Sequence, residues 1–237
     1  MKLSAPIYHL KRNARALSRR QKIPLHQALD TIAAIEGFPS WSLLAAKYEA
    51  TTPAEKLFPR LAPGDLVLVG ARPGHGKTLM SLELAVQAMK AGHPATFFTL
   101  EYTEKDVLDR FHTIGIDPAD FAALFEIDRS DTISAEHIVA RLADAPSGML
   151  VVIDYLQILD QKRETPELMV QVRMLQAFAR TKGLIFVFIS QIDRSYDPAM
   201  KSCPDLADIR LPNALDLTLF SKTCFLNNDE VRFQAVA

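Results

Sequence analysis

The chain has no apolar run approaching the ~20 residues that a membrane-spanning helix needs. Its start, Met1-Lys2-Leu3-Ser4-Ala5-Pro6, has none of the apolar stretch that marks a secretory signal. A cytoplasmic location is the resulting expectation. Cysteine is scarce: Cys203 and Cys224 stand 21 positions apart with no CxxC and no neighbouring histidine pair. That argues against a zinc site or a disulfide scaffold and leaves two reduced, structural thiols. There is no Asn-Lys-x-Asp stretch of the kind that reads guanine. Net charge is nearly absent, −1 over 237 residues, but it conceals an asymmetry: residues 1–50 hold eight Lys/Arg against three Asp/Glu. With 49% apolar and 23% charged residues the composition is that of an ordinary globular protein. At ~100–200 residues per domain the length suits one α/β domain and a small additional module.

The basic module occupies residues 1–50. Tyr8 to Arg20 places Leu10, Ala14 and Leu17 on one face and Lys11, Arg12, Arg15 and Arg19 on the others, a helical spacing. Ile23-Pro24 breaks it, and Leu25 to Ile35 resumes the 3.6 period up to Gly37, a natural helix stop. Ser40 is placed to cap a third short helix in which Trp41 closes a three-helix core. The cluster of cations, Arg20 and Lys22 included, reads equally as a nucleic-acid or partner-docking face and as a solvated basic face. Residues 51–60, rich in proline and threonine, read as a linker to a main domain spanning 61–237.

That domain is organised around Val67 to Glu83, VLVGARPGHGKTLMSLE. An apolar strand breaks into a glycine-containing loop and a helix follows at once, the order of a P-loop. Gly74 and Gly76 permit the backbone to turn successive N–H groups inward, and the positive end of the new helix adds to their pull on phosphate. Arg72, Pro73, Gly74, His75, Gly76, Lys77, Thr78 and Leu79 are therefore the expected nucleotide-binding residues. Lys77 can reach the β- and γ-phosphates, and the Thr78 hydroxyl is placed to ligate Mg²⁺. The first glycine of G-x-x-x-x-G-K-[ST] is Ala71 here, with Gly70 one residue early.

Downstream, apolar runs alternate with helical patterns. Ala95 to Leu100 ends on Glu101, Leu124 to Ile127 is a further strand candidate, and Met149 to Ile153 ends on Asp154 in the form of a Walker B strand. Leu184 to Ile189 ends on Ser190-Gln191, and Leu217 to Leu226 reads as a last strand. Strands separated by helices imply a mostly parallel sheet with helices on both faces, and ligands bind such sheets at the carboxyl ends of strands. Glu101 is then the candidate base that activates water, Asp154 with Thr78 the candidate Mg²⁺ site, and Gln191 a sensor of the γ-phosphate. Lys77, Glu101 and Gln191 form the expected catalytic set.

GARPGHGKT, FTLEYTEKD, VVIDYLQIL, ISQIDR and PDLADIR follow one another in the order seen in DnaB-type replicative helicases, and Leu57 to Asp216 resembles the RecA-like motor domain of that family. The resemblance implies a RecA-like P-loop fold, ATP and Mg²⁺ as ligands, and the same roles for Lys77, Thr78, Glu101, Asp154 and Gln191. It also puts Arg72, Asp193, Arg194 and Arg210 at the nucleotide edge or in a DNA-facing loop, and that family tolerates alanine at position 71. Single-stranded DNA or a replication protein is the implied partner, with a homo-oligomeric ring as the implied assembly. The competing expectation is a non-motor regulator in which ATP occupancy switches docking on another protein. Late cations that a ring motor would use across subunits are few after Arg210: Lys222, and Arg232 in a stretch expected to fray.

Overall fold

The computed structural model describes residues 3–5, 7–48, 52–160, 166–211, 213–227 and 230–236. The chain divides into two compact units, Met1–Thr52 and Pro53–Ala237.

The first unit contains α1 (Ile7–Gln21), α2 (Leu25–Ile35) and α3 (Trp41–Tyr48). Leu10, Ala33, Phe38 and Leu44 are buried together, with Ile32 and Trp41 packed at the rim. Trp41 thus flanks a core centred on smaller side chains. Gly37, at φ +82°, ends α2. Phe38 N–H donates to the Ala33 carbonyl (2.9 Å) and Gly37 N–H to that of Ala34 (3.0 Å), the paired bonds of a Schellman turn. The Asp30 carboxylate accepts the Trp41 N–H at 2.8 Å and fastens the start of α3.

The second unit opens with a difference from the sequence expectation. Pro53–Leu57 is a short helix, α4, followed by a 3₁₀ turn at Phe58–Arg60, and its Ala54 and Leu57 are buried in the main core. Proline at the first position of a helix sacrifices no hydrogen bond, so a proline that reads as linker here starts a helix instead. Glu49, Ala50 and Thr51 lie outside the described residues.

After α4 come β1 (Leu66–Ala71), α5 (Lys77–Lys90), β2 (Ala95–Thr99), α6 (Glu104–Thr113), β3 (Phe125–Asp128), α7 (Ala135–Arg141), β4 (Leu150–Asp154), α8 (Leu168–Lys182), β5 (Ile185–Gln191), β6 (Lys222–Asn227) and β7 (Glu230–Ala235). They form a seven-stranded sheet in the order β3-β2-β4-β5-β1-β6-β7. All neighbours are parallel except β6 and β7. Central strands buried on both faces explain the near-continuous apolar runs.

Alternation along the strands separates the two faces. Leu66, Leu68, Val151, Ile153, Phe186 and Phe188 pack with α7 and α8, whereas Val67, Val69, Leu150, Val152, Val187 and Ile189 pack with α4, α5 and α6. The two cysteines fall in different layers, Cys203 with the first and Cys224 with the second. Both are free and buried, and the sheet between them keeps them from pairing.

Two further expectations change at the carboxyl end of the chain. Residues 217–219 are a 3₁₀ turn rather than the start of a strand, because the Asp216 carboxylate takes the Thr218 N–H (3.0 Å) and hydroxyl (2.6 Å). Arg232 does not fray: it sits within β7, opposite Phe225, and pairs with Glu230 at 3.5 Å. Lys222 is engaged with Asp65 at the amino-terminal edge of the sheet, which makes it a structural cation. No helix among the described residues is long and apolar enough to cross a membrane.

Candidate nucleotide site

β1 delivers the chain to the carboxyl edge of the sheet, and residues 72–76 turn it into α5. Gly74 and Gly76 adopt φ of +82° and +84°, angles that residues with side chains rarely reach. A Cβ at either position would meet nothing within 4 Å, so the backbone turn, and not crowding, requires glycine there. His75 N–H donates to the Arg72 carbonyl (3.2 Å), and the ladder of α5 begins with Met80 N–H on the Gly76 carbonyl (2.8 Å). The N–H groups of Lys77, Thr78 and Leu79, in the first turn of α5, have no carbonyl one turn back within the helix, which leaves that turn as a row of donors for an anion.

Ala71 lies outside that row. It is the fully buried last residue of β1, paired with Gln191 on one side and Leu226 on the other. Lys22 is the one described non-glycine residue with positive φ, so position 71 makes no demand for glycine. The crowded position is Gly70, where a Cβ would lie 2.8 Å from Phe225 Cε1 and 3.0 Å from Ile209 Cδ1. The shifted glycine therefore serves packing between β1 and β6, while the cradle relies on Gly74 and Gly76.

Strand register assembles the rest. Thr99 stands beside Asp154, Asp154 beside Ile189, and Ala71 beside Gln191. By alternation Thr99, Asp154 and Gln191 fall on the face of the sheet that α5 covers. Thr78 Oγ1 donates to Asp154 Oδ2 at 3.2 Å. Asp154 is fully buried, and its Oδ1 has no hydrogen-bond partner among the described residues. Burial pushes this carboxyl up to about 7, and the charge of Glu101 adds to the rise; Lys77, the Thr78 bond and Arg110 act in the opposite sense. A buried carboxylate oxygen left open beside a threonine hydroxyl fits a hard divalent cation, which would restore the charged form. No cluster of three or more His, Cys, Asp or Glu among the described residues could hold a metal alone. Such a cation here would take its remaining ligands from water and phosphate, as Mg²⁺ does.

Glu101 is exposed just past β2. Its N–H donates to the Thr99 hydroxyl at 3.1 Å, which fixes the turn that leaves the strand. Gln191 ends β5, and its carbonyl accepts the Arg210 N–H at 2.9 Å. Ile192 and Ile209 form an antiparallel bridge, and Asp193 N–H donates to the Asp208 carbonyl at 2.7 Å. Arg210 is thus tied to Gln191, the residue expected to sense the γ-phosphate, and Asp193 and Arg194 lie in the same loop. The Asp193 carboxyl is held below its usual range by the Ser195 N–H, with Arg210 and Arg194 contributing. Two cavities, about 300 Å³ beside Phe111 and Phe125 and about 460 Å³ between Arg60 and Phe233, include none of residues 70–79 in their walls. The phosphate cradle itself lies at the surface, with Pro73, Gly74 and Gly76 exposed.

Three further residues stand at the candidate site and escape sequence reading. Thr99 is one hydroxyl in an apolar strand. Arg110 stacks over the Tyr102 ring at 3.9 Å, donates to the Asp106 carbonyl at 2.8 Å, and lies near enough to Asp154 to lower its pKa. Gln157 Nε2 donates to the Arg210 carbonyl at 2.8 Å, across 53 positions of sequence. Only the position of Gln157, three after a Walker B acid, hinted at a role.

Residues 55–203 match the family described as ATPase: KaiC. That match covers more than half of the chain. The chain belongs to the KaiC-type ATPase family. The replicative DNA helicase DnaB of Geobacillus stearothermophilus is 27% identical over 187 residues, covering 64% of this chain and 40% of that protein. DnaB of Leifsonia xyli is 24% identical over 196 residues, 70% of this chain and 43% of the relative. The chain therefore spans less than half the length of these two relatives. Among solved structures, one described as an ATPase domain superposes with a TM-score of 0.59 at 18% identity, over 79% of this chain and 83% of that one. A DnaB-like replicative helicase, described with its interactions with primase, gives 0.61 at 18% identity, over 94% of this chain and 66% of the other. The fold of the second unit is RecA-like, and the relatives that the chain matches are DnaB-type replicative helicases, the family its motor-domain motifs resemble.

Proposed function

We propose that this KaiC-type ATPase domain binds Mg·ATP across the loop 72–79 and hydrolyses it with Glu101 as base, acting on or with DNA in the manner of a DnaB-type motor core. The observation that carries the reading is the meeting of Thr78 and Asp154 at 3.2 Å, with a second carboxylate oxygen buried and open, at the foot of a phosphate cradle. Lys77 supplies positive charge to the outer phosphates, and the N–H groups around Gly74 and Gly76 take the remaining oxygens. Mg²⁺ held by Thr78 and Asp154 would neutralise charge developing on the phosphates.

Glu101 orients and deprotonates the attacking water. Its charge lies near enough to Asp154 to repel that acid's charged form and raise its pKa, so the two carboxylates share one site. Arg110 offsets part of that repulsion. Gln191 reads the γ-phosphate, and its bond to Arg210, braced by Gln157, passes a shift at the sheet edge into the loop 192–210. A coupling of this kind is what a nucleotide-driven DNA motor needs.

The test is ATP turnover with and without Mg²⁺ and with and without single-stranded DNA, alongside the mass in solution. Mg²⁺-dependent turnover stimulated by DNA supports the reading. Tight ATP binding with no turnover under any of these conditions would remove it.

A further inference from the structure

The first unit presents a face that the ATPase reading does not use. On α1, Lys11, Arg12, Arg15, Arg19 and Arg20 are exposed, as is Lys22 just past its end. None of them forms an ion pair among the described residues. Lys11, Arg15 and Arg19 succeed one another at i, i+4 and i+8, about 6 Å apart along the helix axis, with Arg12 on the same flank. Leu10 and Ala14, on the opposite face, are buried. Like charges at these spacings destabilise a helix, and α1 contains no acid to relieve them.

The described acids of the unit are committed elsewhere. Asp30 accepts the Trp41 N–H, and Glu36 accepts both the N–H (2.8 Å) and the hydroxyl of Ser4. Lys22 also stands at φ +53°, a left-handed position where glycine or asparagine is the relaxed choice. Cations are thus kept where intramolecular pairing and backbone comfort both argue against them.

The face also restricts its partner. From Lys11 onward, every exposed residue of α1 is charged, an amide, or Ala16. A protein partner would need an aromatic or aliphatic anchor at the centre of the contact, and a bilayer would need bulky apolar residues beside the cations. The large exposed apolar side chains among the described residues of this unit, Leu25, Ile35 and Leu43, are on α2 and α3 instead. A single strand is normally held on aromatic stacking platforms, and none of the described exposed residues of α1 is aromatic. A regular array of phosphates remains, which Arg can grip through two N–H groups at once.

We infer that the exposed face of α1, with Lys11, Arg12, Arg15, Arg19 and Lys22, binds the phosphate backbone of a nucleic-acid duplex without reading its sequence. This rests on residues 1–52 alone and holds whether or not the second unit turns over ATP.

The experiment uses the full chain and fluorescence anisotropy with a labelled duplex of mixed sequence and a single strand of the same length, titrated between about 50 and 200 mM salt. Five phosphate contacts predict a loss of duplex affinity of about 500-fold across that range, against about tenfold for a triple Arg12→Gln, Arg15→Gln, Arg19→Gln variant. Any DNA contact made by the second unit is common to both proteins and drops out of the difference. The corresponding triple Arg→Lys variant should keep the wild-type salt slope, since charge and not packing sets it. Unchanged helical circular dichroism in both variants shows that the fold is intact. Equal duplex binding by wild type and the Gln variant at every salt concentration overturns the inference. So does a single strand bound more tightly than duplex through these three residues, or a poly-glutamate competitor as effective as unlabelled duplex.

Discussion

The Thr78 hydroxyl donates to the Asp154 carboxylate at 3.2 Å, joining the first turn of α5 to the end of β4 across 76 positions of sequence. The contact brings the glycine-containing loop and Asp154, the acid proposed to hold Mg²⁺, into one site, and the predictions on ATP chemistry depend on it.

Binding and hydrolysis should separate cleanly. Lys77→Ala is expected to abolish ATP binding in calorimetry. Glu101→Gln should retain nucleotide and lose turnover by about 10²–10⁴, the range for removal of a general base. Unchanged hydrolysis in the second variant would place the base elsewhere.

Thr99 acts through Glu101 by accepting its N–H at 3.1 Å. Thr99→Val keeps the shape and removes the acceptor, so kcat should fall about tenfold with KM for ATP little changed, as expected when a catalytic group is loosened in position. Thr99→Ser should restore most of the rate. Steady-state kinetics of the two variants decide it, and a KM effect alone would count against the assignment.

Glu83, on α5, carries a carboxyl that burial, with Glu55 adding, raises from 4.5 to about 7. The folded protein therefore holds this proton over a range where the unfolded chain has released it. The stability that the group contributes is full below pH 4.5 and is lost as pH rises to about 7. Denaturant unfolding of wild type and Glu83→Gln should differ increasingly over that window, with the variant more stable above it by about 1–3 kcal/mol, a figure reduced for partial solvent screening. Parallel pH profiles would show that the site is better solvated than its burial suggests.

The two residues before the loop should behave oppositely to what the motif suggests. Gly70→Ala forces a Cβ to within 2.8 Å of the buried Phe225 ring and should cost about 1–3 kcal/mol by overpacking. Ala71→Gly, in regular strand backbone, should leave ATP affinity unchanged. Thermal melting and nucleotide titration of the pair test this, and a large affinity gain in Ala71→Gly would show that the loop begins earlier than β1 indicates.

Local chemistry made much of the protein legible before folding. Apolar runs that end on Glu101, Asp154 and Gln191 marked strands buried on both faces. Ser40, which accepts the Leu43 N–H at 3.3 Å, and Gly37 marked helix ends, because caps and left-handed turns depend on residues within a few positions. The glycines at 74 and 76 belong to the same class: their φ values are set by the loop itself.

What tertiary structure alone decided is non-local. Pro53 carried a linker signal until Ala54 and Leu57 found a core to enter. β7, with its mixed pattern of charges, became a strand because β6 offered it an unpaired edge. Thr99 and Arg110 acquired their places at the site through strand register and helix packing, which bring together residues that no spacing rule connects. The strand order did the same for the acids, since which carboxyl ends lie side by side depends on how crossovers close, and that is settled by burying the two faces of the sheet at once.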